Sequence, residues 1–464
     1  MGNLVIAKMT GTLPPGTPEE LAGPAEAPVR RKMRFASLDV LRGFALLGIL
    51  ILNIENFAGY EALMDFPVGL IKPAFVGWHA HLDFAIVILK WVFAEGKMRG
   101  LFSLLFGAGA VLLTERIERR GETGRAAVVF YRRNFWLLLF GICHGFLIWF
   151  GDILFPYAVL SLIFLYPLRR LAARKLIIVG LTIWLVGGTF GSLRFFHVAD
   201  VLRSDAHLTA ARAAGSAATP AQLAVIGAAE SERKAESASA VEAIREGRLG
   251  YVAGWRYGVA HEQSLNKRAF RSLIVLEILG AMITGMGLYK AGFLTNQRPV
   301  KEYVRLALGG YAVSTPLVLI GLWHMYRDGF SAAADARWMS IPYTTEVVGA
   351  VLANASVLLL LVRSGRLRWV FHPLSAVGRT AFSNYILTSL ICKVVFSWGP
   401  WKLYGKLEFY QWYLFVAGIW TVNLIISPLR NLGRNGARSR QVNRDRCRAG
   451  TRTGSRLAPG PYRI

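Results

Sequence analysis

The sequence predicts an all-α polytopic membrane protein of about ten transmembrane helices, one of them broken. Three observations predict it. Of 464 residues, 54% are hydrophobic and 18% charged, where soluble domains run nearer ~45–50% and ~25%. Apolar runs long enough to cross a ~30 Å hydrocarbon core recur along the chain. Lys and Arg gather in the short loops between those runs, the pattern that orients membrane helices.

Residues 1–34 are rich in Pro and Gly and read as a disordered cytoplasmic tail. Arg30-Arg31-Lys32 before an apolar run resembles the charged start of a signal peptide. That run contains Asp39 and Arg42 and lacks a small-residue cleavage pattern, so the expectation is an uncleaved anchor. A transmembrane domain is expected over 35–429. Its candidate spans begin with Leu38–Phe57, Asn134–Phe150, Ile153–Pro167, Leu176–Phe196 and Ser272–Leu294. Tyr303–Trp323, Thr345–Val362, Leu374–Phe396 and Phe409–Pro428 follow. Between Trp78 and Thr114 lie two shorter apolar pieces interrupted at Glu95–Gly100. Arg30, Arg31, Lys32 and Arg34 place the first span's start in the cytoplasm, and the Arg116–Arg133 loop with its six Arg belongs there too. A single crossing of the interrupted piece is therefore expected, as a discontinuous helix whose open backbone is covered by protein or water, the alternative being two full crossings that put the six Arg outside. Both termini then fall in the cytoplasm.

Residues 197–271 form the long hydrophilic insertion, expected outside the membrane, with Thr219-Pro220 as a helix start. Gly187 and Gly191 offer a small-residue helix contact. The basic tail at 430–464 carries ten Arg against Asp445 alone. The net charge of +26 thus lies in loops and a tail, and no stretch interleaves bases with aromatics as a nucleic-acid groove does. Nucleic acid is excluded as a partner and the lipid bilayer takes its place. Cys143, Cys392 and Cys447 form no CxxC pair, which argues against a disulfide framework or a thiolate zinc site.

Polar groups inside spans carry the chemistry, since each costs free energy in lipid unless partnered. Asp39 and Arg42 share a helix face, either as a local ion pair or with Arg42 holding a phosphate-bearing ligand. Asn53 and Glu55 lie at the other end of that helix. His144 sits mid-span with Asp152 eight residues on. An imidazole near a carboxylate is a general base, or else a helix-to-helix hydrogen bonder. Glu277, Lys393 and Lys90 are further intramembrane ions, and Asn354 and Asn384 suit interhelical hydrogen bonds. His79, His81 and Asp83 form an HxH-x-D lacking a fourth ligand, so no metal is assigned. There is no Walker loop, nucleophile elbow or HExxH.

Four ordered motifs resemble the YeiB-like bacterial membrane proteins of the DUF418 family. They are Ser37-Leu38-Asp39-Val40-Leu41-Arg42-Gly43, Glu95-Gly96-Lys97 running into Leu101–Gly107, His144 through Gly151-Asp152-Ile153-Leu154, and Gly378-Arg379-Thr380-Ala381-Phe382-Ser383-Asn384-Tyr385. The resemblance covers about Arg34 to Pro428 and implies the bacterial cytoplasmic membrane. The first motif is also similar to that of transmembrane acetyltransferases of the heparan-glucosaminide type, in which an Asn at the spacing of Asn53 belongs to the active site. Their catalytic His has no counterpart in Glu61-Ala62-Leu63-Met64-Asp65, which leaves His144 as the candidate base.

The expected activity is acyl transfer from cytoplasmic acyl-CoA, as substrate rather than bound cofactor, to a hydroxyl or amine on a small-molecule, glycan or lipid acceptor outside. His144, Asp152 and Asn53 are the expected catalytic residues, and Asp39, Arg42, Lys97, Arg379 and Asn384 the expected binding residues. A secondary transporter using Glu95–Gly100 and Glu277, or a non-catalytic membrane component, are the alternatives. The family's usual aromatic C-terminal segment is missing after Pro428, so a frameshift near Leu429–Arg434 is expected. An intact frame on resequencing, with tail peptides seen by mass spectrometry, rules it out.

Overall fold

The computed structural model describes residues 26–59, 75–190, 244–256, 274–328 and 334–430, with single positions at 192, 213, 219, 220 and 259. Expectations for residues 1–25, for most of the 197–271 insertion and for 431–464 lie outside the described residues. Within them the chain is helical, and eight helices are long and apolar enough to cross a membrane.

Helix α1 spans Glu26–Ala58. Its apolar, membrane-spanning part is Ser37–Ala58. Helix α2, Ala80–Phe93, leads into α3, Lys97–Glu118. The break between them centres on Gly96 at φ 68°, a left-handed conformation that glycine adopts without penalty. Side chains satisfy the loosened backbone: Lys97 donates to the Trp91 carbonyl at 2.6 Å and Asn354 to that of Phe93 at 3.3 Å. The α2–α3 unit runs antiparallel to α1. Lys90 meets Glu55, Met98 lies against Gly48, and Gly109 faces Arg42. Contacts descending α1 while ascending α2–α3 make the unit one discontinuous crossing, as expected.

Helix α4, Thr123–Leu147, folds back onto α5, Leu154–Leu168. Gly141 permits the close approach, since a side chain there would strike the Phe155 backbone. Helix α6 spans Ala173–Phe190, and α7, Ile274–Lys290, packs on α3 with Gly107 and Gly285 each against the other helix's backbone. Helices α8, Val300–Arg327, and α9, Tyr343–Ser364, meet at Gly310 and Gly349.

One expected span needs correction. Leu374–Phe396 is not a single helix: α10, Arg368–Arg379, ends at Thr380, and α11, Ala381–Trp398, restarts there. The Thr380 hydroxyl donates back to the Ala376 carbonyl at 2.9 Å, competing with the helix, while its own carbonyl accepts Asn384 N–H. Helix α10 is amphipathic and crosses α1 where Gly43 and Gly378 bring the two backbones together. Helix α12, Phe409–Arg430, completes the described fold. Short apolar α5 and the 17-residue α7 stand beside the eight long helices among the described residues.

Candidate functional site

His144 lies in the last turn of α4 and Asp152 in the connection to α5. On an unbroken helix they would be only loosely aligned. Instead the helix ends at Leu147, the turn is held by Ile148 and Trp149 N–H groups on the His144 carbonyl, and Asp152 swings back. His144 Nδ1 and Asp152 Oδ1 are 2.9 Å apart, with both side chains almost wholly buried. The contact is at ion-pair distance, but the ring N–H is not aligned for a hydrogen bond. Asp152 Oδ2 accepts Phe155 N–H at 2.7 Å, and Tyr385 Oη approaches Oδ1 at 3.5 Å. The Tyr385 ring packs on the imidazole at 4.9 Å. His144 Nε2 is buried without a hydrogen-bond partner. A carboxylate beside one nitrogen and an unpartnered second nitrogen is an arrangement that suits a general base.

Beside this pair, α4 and α11 enclose a groove of about 780 Å³. Phe140, Cys143, Ile148, Phe382, Leu387 and Leu390 line it, and His144 forms part of its wall. Phe140, Phe382 and Leu390 are exposed on the molecule's apolar exterior, so the groove is open to the bilayer. Ser383, Thr380 and Arg430 stand at one end.

A basic cluster gathers at the α10 end of α1. Asp39 faces Arg42 at 3.5 Å and Arg379 at 3.9 Å. Arg116 acts electrostatically on Asp39, and Arg133 on Arg42. Three guanidinium groups act on one carboxylate and Arg133 on Arg42 beside it, an excess of positive charge suited to an anion such as phosphate. Arg133 and His144 share α4 and are separated by about 16 Å at 1.5 Å rise per residue, roughly half the ~30 Å hydrocarbon core.

The other expected residues fall in different places. Asn53 shares the α1 face of Leu46, which packs with Tyr385, and of Phe57, which stacks on Trp149 at 4.2 Å. It is directed toward the His144 region, yet no hydrogen bond joins it to His144 or Asp152. Asn384 is fully buried and its amide donates to Ser427 at 2.8 Å and Thr380 at 3.1 Å, tying α11 to α12. Lys97 is also fully buried, far from the basic cluster in sequence and packing. Its ammonium meets Glu346 at 2.7 Å and the Trp91 carbonyl, at the helix break rather than in the basic cluster. His79 and Asp83 pair at 2.6 Å, and Asp83 accepts Tyr410 N–H at the start of α12.

The helix break carries its own polar network. Glu55 pairs with Lys90 at 3.1 Å and accepts Tyr413 Oη–H at 2.7 Å. Arg99 faces Glu277 at 3.4 Å, Thr344 donates to Glu277 at 3.1 Å, and Tyr343 donates to Glu95 at 3.2 Å. Glu346, Tyr385, Arg116 and Arg133 were not singled out by the sequence. Glu346 sits at a span edge and Tyr385 closes the last motif, so only their helix partners reveal a role.

Residues 288–430 match the family described as "Protein of unknown function (DUF418)". The uncharacterized protein YxaH of Bacillus subtilis (strain 168) is 28% identical over 405 residues, 87% of this chain and 91% of its own. The uncharacterized protein YeiB of Escherichia coli (strain K12) is 27% identical over 406 residues, 85% of this chain and 91% of its own. The chain carries a DUF418 domain and is homologous to YeiB and YxaH. An uncharacterized 39.9 kDa protein in the amylase 3′ region of Bacillus acidopullulyticus is 34% identical over 145 residues, 31% of this chain and 37% of its own. No solved structure matches the chain. The DUF418 segment supplies Arg379 and Tyr385, while His144 and Asp152 precede it. The matches to YxaH and YeiB are long enough that they take in both halves of the site.

Proposed function

We propose that this membrane protein transfers an acyl group from acyl-CoA to a hydroxyl or amine. The observation that carries the reading is the buried His144–Asp152 pair with Nε2 open, about 16 Å along α4 from the arginine cluster. In this reading the arginine end faces the bacterial cytoplasm, in keeping with the distribution of Lys and Arg. Arg42, Arg133 and Arg379 hold the donor's phosphates there, and the extended pantetheine arm carries the thioester inward to His144.

His144 Nε2 takes the proton of the acceptor hydroxyl as its oxygen bonds to the thioester carbon. The carbonyl electron pair moves onto oxygen, where the Asn53 amide donates to the developing charge. As the C=O re-forms, the C–S bond breaks, and the leaving sulfur takes the proton back from the imidazolium to give free CoA. Asp152 is a positioning residue: its charge stabilises the imidazolium, as carboxylates do beside catalytic histidines.

The test is CoA release by purified protein in lipid nanodiscs, given acyl-CoA and an extract of envelope glycans and lipids. His144→Ala should lower the rate by about 10²–10⁴-fold, the usual contribution of a general base. Release that is unchanged in the variant removes His144 from the mechanism. No release from well-folded protein with any donor removes the activity.

The helix break favours a second reading, transport of a small solute. Its network holds Glu55, Glu95, Glu277 and Glu346 against Lys90, Lys97 and Arg99, one acid more than bases. Broken helices with intramembrane carboxylates serve proton-coupled carriers. Gradient-driven flux abolished by Glu277→Gln, with no CoA release, decides for this reading.

A further inference from the structure

We infer that the acyl group delivered to His144 is a long hydrocarbon chain and that the groove between α4 and α11 houses it. The inference rests on the acyl-transfer reading and names the donor class for the same site.

The argument is one of space and polarity. A thioester whose phosphates are held at Arg42, Arg133 and Arg379 presents its carbonyl carbon near His144, deep in the hydrocarbon layer. Whatever the acyl carbon bears beyond that point must continue into the space adjoining the imidazole. That space is the groove of about 780 Å³, a volume typical of sites for sizeable ligands at ~300–1,000 Å³. An acetyl group would leave nearly all of it unfilled.

Its walls decide the chemistry. Phe140, Ile148, Phe382, Leu387 and Leu390 offer no hydrogen-bonding groups to a sugar or other polar acceptor. An alkyl chain, by contrast, is favoured there with every methylene moved out of water. Thr380, Ser383 and Arg430 add polar groups at one end of the lining, and His144 stands among the apolar walls, almost wholly buried and with its Nε2 unpartnered. The reacting end of the occupant therefore sits at His144 while the tail runs along the apolar walls. The opening toward the bilayer lets chains of differing length extend outward between lipids.

A native thiol on the groove wall gives a binding readout that needs no turnover. Cys143 is exposed there, and Cys392 is buried. In Cys447→Ser protein in nanodiscs, a membrane-permeant maleimide should label Cys143. The non-reactive thioether S-hexadecyl-CoA should slow that labelling at least tenfold, and S-ethyl-CoA should not. In the CoA-release assay, palmitoyl-CoA should exceed acetyl-CoA at least tenfold in kcat/KM. Leu387→Trp, which fills the groove, should shift the preference toward octanoyl-CoA, while Leu387→Ala keeps the wild-type order and controls for folding.

Equal protection by both thioethers, with acetyl-CoA turned over as well as palmitoyl-CoA, overturns the long-chain assignment and leaves acyl transfer standing. Protection by S-hexadecyl-CoA without CoA release from any donor keeps the chain site and removes the reaction. Protection that depends only on the nanodisc lipid, and not on either thioether, assigns the groove to a bilayer lipid and overturns the inference.

Discussion

Asp152 holds two contacts at once, accepting Phe155 N–H through Oδ2 and facing His144 through Oδ1. These can be separated. Asp152→Asn keeps an acceptor for Phe155 but removes the charge, so kcat should fall by about 10²-fold or more with little change in Tm or KM. Asp152→Ala removes the turn contact as well and should lower Tm in addition. Thermal unfolding beside steady-state kinetics checks both. At this scale the sequence was informative about types and not about contacts. His144 and Asp152 were visible as an imidazole and a carboxylate out of place in an apolar run. Their meeting depends on a turn at 148–151 that interrupts the helical register, and no periodicity in an apolar run announces such a turn. Asn384 shows the opposite limit. Its residue type suited an interhelical hydrogen bond and its motif a ligand contact; the amide N–H groups reach Ser427 and Thr380, while Oδ1 is buried without a hydrogen-bond partner.

Between helices, glycine placement sets the spacing. Gly43 and Gly378 let α10 cross α1, and Gly378 has the Asp39 carbonyl where a methyl would go. Gly378→Ala should therefore destabilise by about 1–3 kcal/mol, the range for overpacking, and displace Arg379 from Asp39. A lowered Tm with weakened donor binding is the expected result. At the helix break, Glu346→Gln leaves the Lys97 ammonium without a counter-charge, which costs about 3–5 kcal/mol for a buried pair. Replacing both with apolar residues of similar size, Lys97→Met with Glu346→Leu, should recover most of that loss. Comparing Tm for the single and double variants tests this. The sequence pointed to Gly187 and Gly191 as a contact. Gly187 lies against Leu276, Gly191 lies outside the described residues, and close backbone approaches occur at Gly107, Gly180, Gly280 and Gly285. The bend at Thr380 was hidden because apolar residues continue on both sides of it.

For the whole molecule, the bilayer made the fold class legible. Apolar length, breaks in apolar length and the sign of loop charge are direct consequences of a low-dielectric slab. Packing order inside the slab is not, since the long described helices are apolar over most of their surface and their partners cannot be read from a polar face. Orientation is testable. In a cysteine-free background, a membrane-impermeant maleimide on intact cells should label Trp401→Cys and spare Arg120→Cys, since the two exposed positions lie in connections at opposite ends of the bundle. The reverse pattern inverts the proposed direction of transfer.

The close approach of α4 and α5 at Gly141 has a further consequence. His144 closes one arm of a hairpin and Asp152 lies in its bend, so the tightness of that bend helps hold them 2.9 Å apart. Warming that loosens the bend by an ångström or two should silence the protein while its helices are still intact. Heat inactivation should then precede the loss of the circular-dichroism signal, and Gly141→Val should widen the interval between the two.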